Sequence, residues 1–128
     1  MKILVIDDDP AMTDLMKLVL EPMQAEIHIA NSAQEGIVLA RRYSPDVILL
    51  DLMMPDMSGW EVCGEIRSFS ATPILILSAL DNPGLIAEAL NAGADDFLIK
   101  PVANSILLAH IQKLMRRAAA EMTTSRRN

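Results

Sequence analysis

Short apolar runs at residues 3–6, 47–50, 74–77 and 97–99, and an alternating run at 26–30, are separated by longer stretches with apolar positions at helical spacing. Each longer stretch carries its own start or stop signal. Asp9 followed by Pro10 predicts an N-cap and first helical residue, with that helix ending near Glu21-Pro22. Ser32-x-x-Glu35 and Ser58-x-x-Glu61 are capping boxes for a second and a third helix. Asn82-Pro83 starts a fourth, which stops at Gly93, a residue suited to a left-handed cap. A fifth helix is predicted from about Asn104 towards Glu121.

The resulting order is strand then helix, five times. Strands nearly continuous in Val, Ile and Leu, each followed by a helix, predict a parallel sheet covered on both faces and joined by right-handed crossovers. The expected fold is therefore α/β, a doubly wound five-stranded (βα)5 sheet. The flavodoxin-like strand order 2-1-3-4-5 suits it, with a crevice between strands one and three.

At 128 residues the chain supports one domain. We expect that domain to span residues 1–121, with 122–128 a polar, frayed tail or the start of a linker. No apolar stretch approaches a membrane span, and Asp7 interrupts the first run too early for a signal peptide, so a cytoplasmic protein with no membrane contact is expected. Cys63 is the only cysteine; with no internal disulfide available, an inert core thiol is its expected role. A formal net charge of −6 argues against direct nucleic-acid binding by this domain, which needs clustered cations. The pairs Arg41-Arg42, Arg116-Arg117 and Arg126-Arg127 read as solvated helix ends and tail.

The polar residues at the strand ends change the picture. Asp7 and Asp8 follow the first strand, Asp51 the third, Ser78 the fourth and Lys100 the fifth. Singly, these are a solvated turn, a loop acid and a surface lysine. In a parallel sheet they converge on one rim, where α/β proteins bind ligands. Three carboxylates around one crevice repel unless a cation sits among them, and hard oxygen ligands without His or Cys point to Mg²⁺ or Mn²⁺. Asp8 and Asp51 would bind directly, with Asp7 acting through water and a backbone carbonyl from the loop after Asp51. Lys100 supplies a positive charge and Ser78 a hydroxyl, both suited to phosphoryl oxygens. Such a set serves phosphoryl transfer to an exposed carboxylate.

The stretches Val5-Ile6-Asp7-Asp8-Asp9, Leu50-Asp51-Leu52-Met53-Met54-Pro55, Leu77-Ser78-Ala79 and Gly93 to Pro101 resemble the receiver domain of two-component response regulators, over residues 2 to about 119. The resemblance implies a phosphorylation-dependent signalling switch, catalysing only its own phosphorylation and dephosphorylation. Asp51 would be the phosphoacceptor, charged by a sensor histidine kinase or a phosphotransfer protein. Asp7, Asp8, Asp51 and the Met53 carbonyl would hold Mg²⁺, Lys100 would pair with the phosphoryl group, and Ser78 and Phe97 would form the switch pair. A cis Lys100-Pro101 bond is implied, as is kinase docking near the first helix, where Met12 and Met16 are expected to be exposed.

The chain also departs from that family. Val102 follows Pro101 where an aromatic is usual, leaving less apolar cover beside Lys100. In the winged-helix subfamily a charge network joins two copies through the fourth helix, fifth strand and fifth helix. Asp95-Asp96 resembles it, but the other matching positions are Ile86, Glu88, Ile106 and His110. An apolar patch of Leu85, Ile86, Ile106 and His110 would then serve a homodimer or an effector. Trp60 is expected to be third-helix packing. Two other readings compete: a haloacid-dehalogenase-like phosphatase with Asp7 as nucleophile and Asp9 as acid, and an interaction module without phosphorylation.

Overall fold

The computed structural model describes the backbone of residues 1–127 and the side chains of residues 1–120. The strands are β1 (Lys2–Ile6), β2 (Glu26–Ala30), β3 (Val47–Leu50), β4 (Ile74–Ser78) and β5 (Asp96–Ile99). Between and after them lie α1 (Pro10–Leu20), α2 (Ala33–Tyr43), α3 (Gly59–Arg67), α4 (Pro83–Asn91) and α5 (Asn104–Arg127). The sheet is wholly parallel, as the runs of apolar residues predicted, and its order β2-β1-β3-β4-β5 is the flavodoxin-like one expected.

Side chains alternate across each strand, so each central strand feeds two cores. Leu4, Ile6, Ile48, Leu50, Ile74 and Ile76 face Val62, Cys63 and Ile66 of α3 and alanines of α2 and α4. Ile3, Val5, Val47, Leu49, Leu75 and Leu77 face Val19 and Leu20 of α1 and Leu107, Ile111 and Leu114 of α5. Cys63 is fully buried, and burial pushes its thiol up to about 11, which leaves it inert at neutral pH.

The caps form as their residues required. Asp9, Ser32, Ser58 and Asn82 each accept from an amide of the first turn that follows. Gly93 sits at φ +120, the left-handed region expected of it. α1 stops at Leu20, and a 3-10 turn, Glu21–Met23, leads to Gln24 at φ 51.

The helical backbone of α5 runs on to Arg127, through the stretch expected to be a tail or the start of a linker, and Asn104 to Arg127 contains no glycine or proline. One expectation fails here. Met16, expected to be exposed on α1, is buried, and Met12 is partly so. The helical period turns Thr13, Met16, Val19 and Leu20 inward, so α1 exposes Leu15 and Leu18 instead. Among the described residues no helix is long and apolar enough to cross a membrane.

Candidate functional site

The ladder between β1 and β3 sets Ile6 opposite Leu50, so Asp7 and Asp51 leave the sheet side by side. Backbone bonds continue one step past both strands: Asp51 N donates to Ile6 O at 3.0 Å, and Asp7 N to Ala30 O at 3.0 Å. The rim acids are therefore carried on sheet-like backbone. Carboxylate oxygens of Asp7, Asp8 and Asp51 lie within 4.8 Å of one another, with Asp7 buried, Asp51 half-buried and Asp8 exposed.

Lys100 reaches the same rim from β5. Its amide donates to Ser78 O at 2.8 Å, and its Nζ lies 3.5 Å from Asp7 Oδ2. The Lys100-Pro101 bond is cis. Ser78 is buried, and its hydroxyl oxygen accepts from Leu80 N at 3.2 Å. Phe97 is partly buried against the core on the α3 and α4 side. The Met53 side chain is exposed, while its backbone amide donates to the Asp51 carboxylate.

Electrostatics follow from this placement. Burial pushes the Asp51 carboxyl above its ordinary value of 3.8; the Lys100 ammonium opposes that, the Asp7 charge adds to it, the Met53 amide opposes it and the Asp8 charge adds to it. A divalent cation among the three acids would relieve both the desolvation and the repulsion. The donor set, all oxygen with no His or Cys, suits Mg²⁺ or Mn²⁺.

A pH dependence follows. With its folded value raised, Asp51 favours the fold in acid, and that contribution is lost as pH rises through the folded value. Asp51→Asn removes the cost of holding the charge. In metal-free buffer at pH 7 the variant should therefore melt above the wild type, with the gap closing as pH falls below the ordinary carboxylate range of about 4. Equal melting at pH 7 would contradict the burial argument.

Several residues not singled out from the sequence shape the site. Gly59 opens α3, and a Cβ there would lie 2.6 Å from Leu52 Cα and 3.0 Å from Asp51 O, so only glycine lets the loop fold back under the acid. Asp56 accepts from Ala33 N and Gln34 N, both at 3.2 Å, tying the loop after Asp51 to the start of α2. Those amides, Gln34 first, hold its carboxyl below the usual range. Asn31, at the end of β2, bonds the Asp7 carbonyl and Thr13. A polar residue at the end of a neighbouring strand was a signal open to sequence reading.

The surroundings bear on the other expectations. Beside Lys100, Pro101 and Val102, a groove of about 490 Å³ opens against Met12, Met16 and Leu107, where Val102 leaves room. Trp60 joins α3 to α4 through an indole bond to Leu85 O at 3.4 Å. Among the described residues of α4, β5 and α5 the exposed large hydrophobic side chains are Leu90, Ile99 and Ile106, at 42%, 42% and 49%, whereas Leu85 and Ile86 are partly buried. His110 is not part of an apolar patch, because its Nδ1 lies 2.6 Å from Asp96 Oδ2. Asp9, the acid of the phosphatase reading, uses its carboxylate to cap α1, accepting from Ala11 N at 3.0 Å.

Comparison with known proteins agrees with this geometry. Residues 3–112 match the family model described as "Response regulator receiver domain". Transcriptional regulatory protein AfsQ1 of Streptomyces coelicolor is 37% identical over 123 residues, covering 96% of this chain and 55% of the relative. Response regulator MprA of Mycobacterium leprae is 41% identical over 118 residues, covering 91% and 52%. The chain thus spans about half the length of the curated relatives it matches. Among solved structures, a CheY-like receiver domain protein from Methanospirillum hungatei superposes with a TM-score of 0.89 at 30% identity, covering 94% of this chain and 97% of that one. The BeF3-activated N-terminal receiver domain of Klebsiella pneumoniae RstA gives 0.86 at 28%, covering 91% and 99%.

Proposed function

The chain belongs to the response-regulator receiver family, the phosphorylation-dependent switches of two-component systems, and we propose that its phosphoacceptor is Asp51. The donor is the phosphohistidine of a sensor kinase or phosphotransfer protein. The observation that carries this reading is the convergence of three carboxylates within 4.8 Å, with a lysine ammonium 3.5 Å from one of them.

In the proposed step a carboxylate oxygen of Asp51 forms a bond to phosphorus as the bond to the donor imidazole breaks. Asp7, Asp8, Asp51 and the Met53 carbonyl would hold Mg²⁺, which when bound would supply positive charge against the phosphoryl oxygens. Lys100 loosens from Asp7 Oδ2 and turns its ammonium to the incoming oxygens. The Ser78 hydroxyl leaves the Leu80 amide and donates to the phosphoryl group, and Phe97 moves further into the space behind it. Incubation with acetyl phosphate and Mg²⁺ tests the reading: intact mass should rise by one phosphoryl group, and chelation should prevent it.

The phosphatase reading loses its acid, since the Asp9 carboxylate is committed to the cap of α1. An interaction module without phosphorylation has no use for a complete acceptor set.

Phosphorylation also has a proposed output, a homodimer through α4, β5 and α5. Leu90, Ile99 and Ile106 are exposed there, and Asp96 is already paired to His110 within the chain. A contact made by apolar side chains depends weakly on salt, unlike ion pairs. Sedimentation of the beryllofluoride-treated domain should show a dimer at both low and high salt, and a monomer for Ile106→Glu. A dimer dissolved by salt would rule out the apolar contact.

A further inference from the structure

The two acids that open the site sit on a turn, Asp7-Asp8-Asp9, in which Asp7 is buried and Asp8 exposed. What keeps this turn in one place is a set of bonds to Asp7. Its amide donates to Ala30 O at 3.0 Å, and its Oδ1 accepts from Asp9 N at 3.0 Å. Its carbonyl oxygen accepts from Asn31 Nδ2 at 2.9 Å. With Oδ1 used inside the turn, Oδ2 is the oxygen left facing Lys100.

Asn31 is the unusual member. A primary amide has two N–H groups, and here both are used: one on the Asp7 carbonyl, the other on Thr13 Oγ1 at 3.1 Å. The Asp7 carbonyl can only accept, so the amide must present its nitrogen. Thr13 is buried on α1, and its hydroxyl in turn donates to Pro10 O at 3.0 Å. Asn31 itself is held, because its backbone amide donates to Glu35 Oε2 at 3.2 Å in the first turn of α2. A continuous strut therefore runs from α2 through Asn31 to the Asp7 carbonyl and to α1.

We infer that Asn31, with Thr13, is a positioning residue for the cation site: it fixes the backbone from which Asp7 and Asp8 project. The inference rests on the proposed role of those acids. Without the strut, the Asp7 carbonyl would turn to water and the turn would sample orientations in which the three acids no longer converge. Cation affinity would fall, although no ligand had been removed. Partners of this outer kind typically change metal affinity by about 10- to 100-fold. Because Asn31 acts through backbone and is itself solvent-exposed, the lower end, about tenfold, is expected.

The test is Mg²⁺ binding by titration calorimetry, with Mn²⁺ electron paramagnetic resonance as a second readout, on the full chain without phosphodonor. Asn31→Ala should weaken Mg²⁺ about tenfold at temperatures far below its melting point. Thr13→Val should do the same, and Thr13→Ser, which keeps the hydroxyl, should restore wild-type affinity. The Asn31→Ala, Thr13→Val double variant should be no weaker than either single one, because both break one strut. A purely structural role would lower the melting temperature and leave affinity unchanged, and Asn31→Ala binding Mg²⁺ within about twofold of wild type overturns the inference. If the wild type binds no Mg²⁺, or Asp8→Asn binds it equally well, the reading of the acids as the cation site falls, and the positioning role falls with it.

Discussion

Asp51→Asn should abolish phosphorylation, by more than about a thousandfold, since removing a covalent nucleophile leaves the phosphoryl group nothing to bond to. The change is nearly isosteric at a half-buried position, so it removes one charge without opening a cavity. In acetyl phosphate and Mg²⁺ the wild type should gain a single phosphoryl group and the variant none. Asp7→Asn should give a different result, because it removes the charge of a proposed metal ligand, the 3.5 Å partner of Lys100, while leaving the proposed acceptor in place. Its labelling should be slow and should still map to Asp51. A label found on Asp7 in the wild type would revive the phosphatase reading, and undiminished labelling of Asp51→Asn would sink the assignment. Misfolding cannot mimic the expected outcome, since the asparagine variant should melt above the wild type at pH 7.

Arg67→Ala should cost about 3 kcal/mol of stability, at the opposite end of the sheet and with no direct effect on chemistry. The guanidinium at the end of α3 bonds Gly93 O at 2.9 Å, Ser70 O at 3.1 Å, Thr72 O at 2.7 Å and Asp95 Oδ2 at 2.8 Å. Asp95 Oδ2 also accepts from Ile74 N at 2.8 Å, so one ion pair ties the start of β4 and the approach to β5 to α3. Truncation leaves three carbonyls without this donor and the Asp95 carboxylate with the Ile74 amide but no cation. Breaking a buried pair this way typically costs about 3–5 kcal/mol. The two side chains are 24% and 30% exposed, so water replaces part of the loss and the low end applies. Urea unfolding should show the midpoint fall with an unchanged slope. A loss below about 1 kcal/mol would mean that the network is no better than solvent. Well below the melting temperature, the variant should still accept phosphate on Asp51.

Much of this molecule was legible in one dimension. Residues 3–6, 47–50 and 74–77 are apolar on both faces and alternate with helices, which suits a covered parallel sheet, and the flavodoxin-like order 2-1-3-4-5 that suits five strands is the one found. Ser32, Ser58 and Asn82 cap the helices they precede, because a cap bonds an amide two or three residues away. The carboxylates of the site were legible for the same reason: a polar residue directly after a buried strand has only the rim to occupy. Their convergence within 4.8 Å then follows from strand order.

Other features depended on partners far along the chain. The sequence marks Lys100 and Ser78 as phosphate-facing groups, but only the packed structure pairs Lys100 with Asp7 and turns the Ser78 hydroxyl to Leu80 N. Asp95 looked like part of an intermolecular charge network; across 28 residues it meets Arg67 instead. Asp96 meets His110, 14 residues away, and Asn31 finds Asp7 across 24. Met16 is buried because α1 rests on the core with that face down, which its spacing alone left undecided. Periodicity and capping are set by atoms within a turn or two of the chain, so the sequence by itself determined the elements, their order and the rim that carries the acids. Which donor meets which acceptor depends on how helices settle against the sheet over tens of residues, and that only the tertiary structure decided.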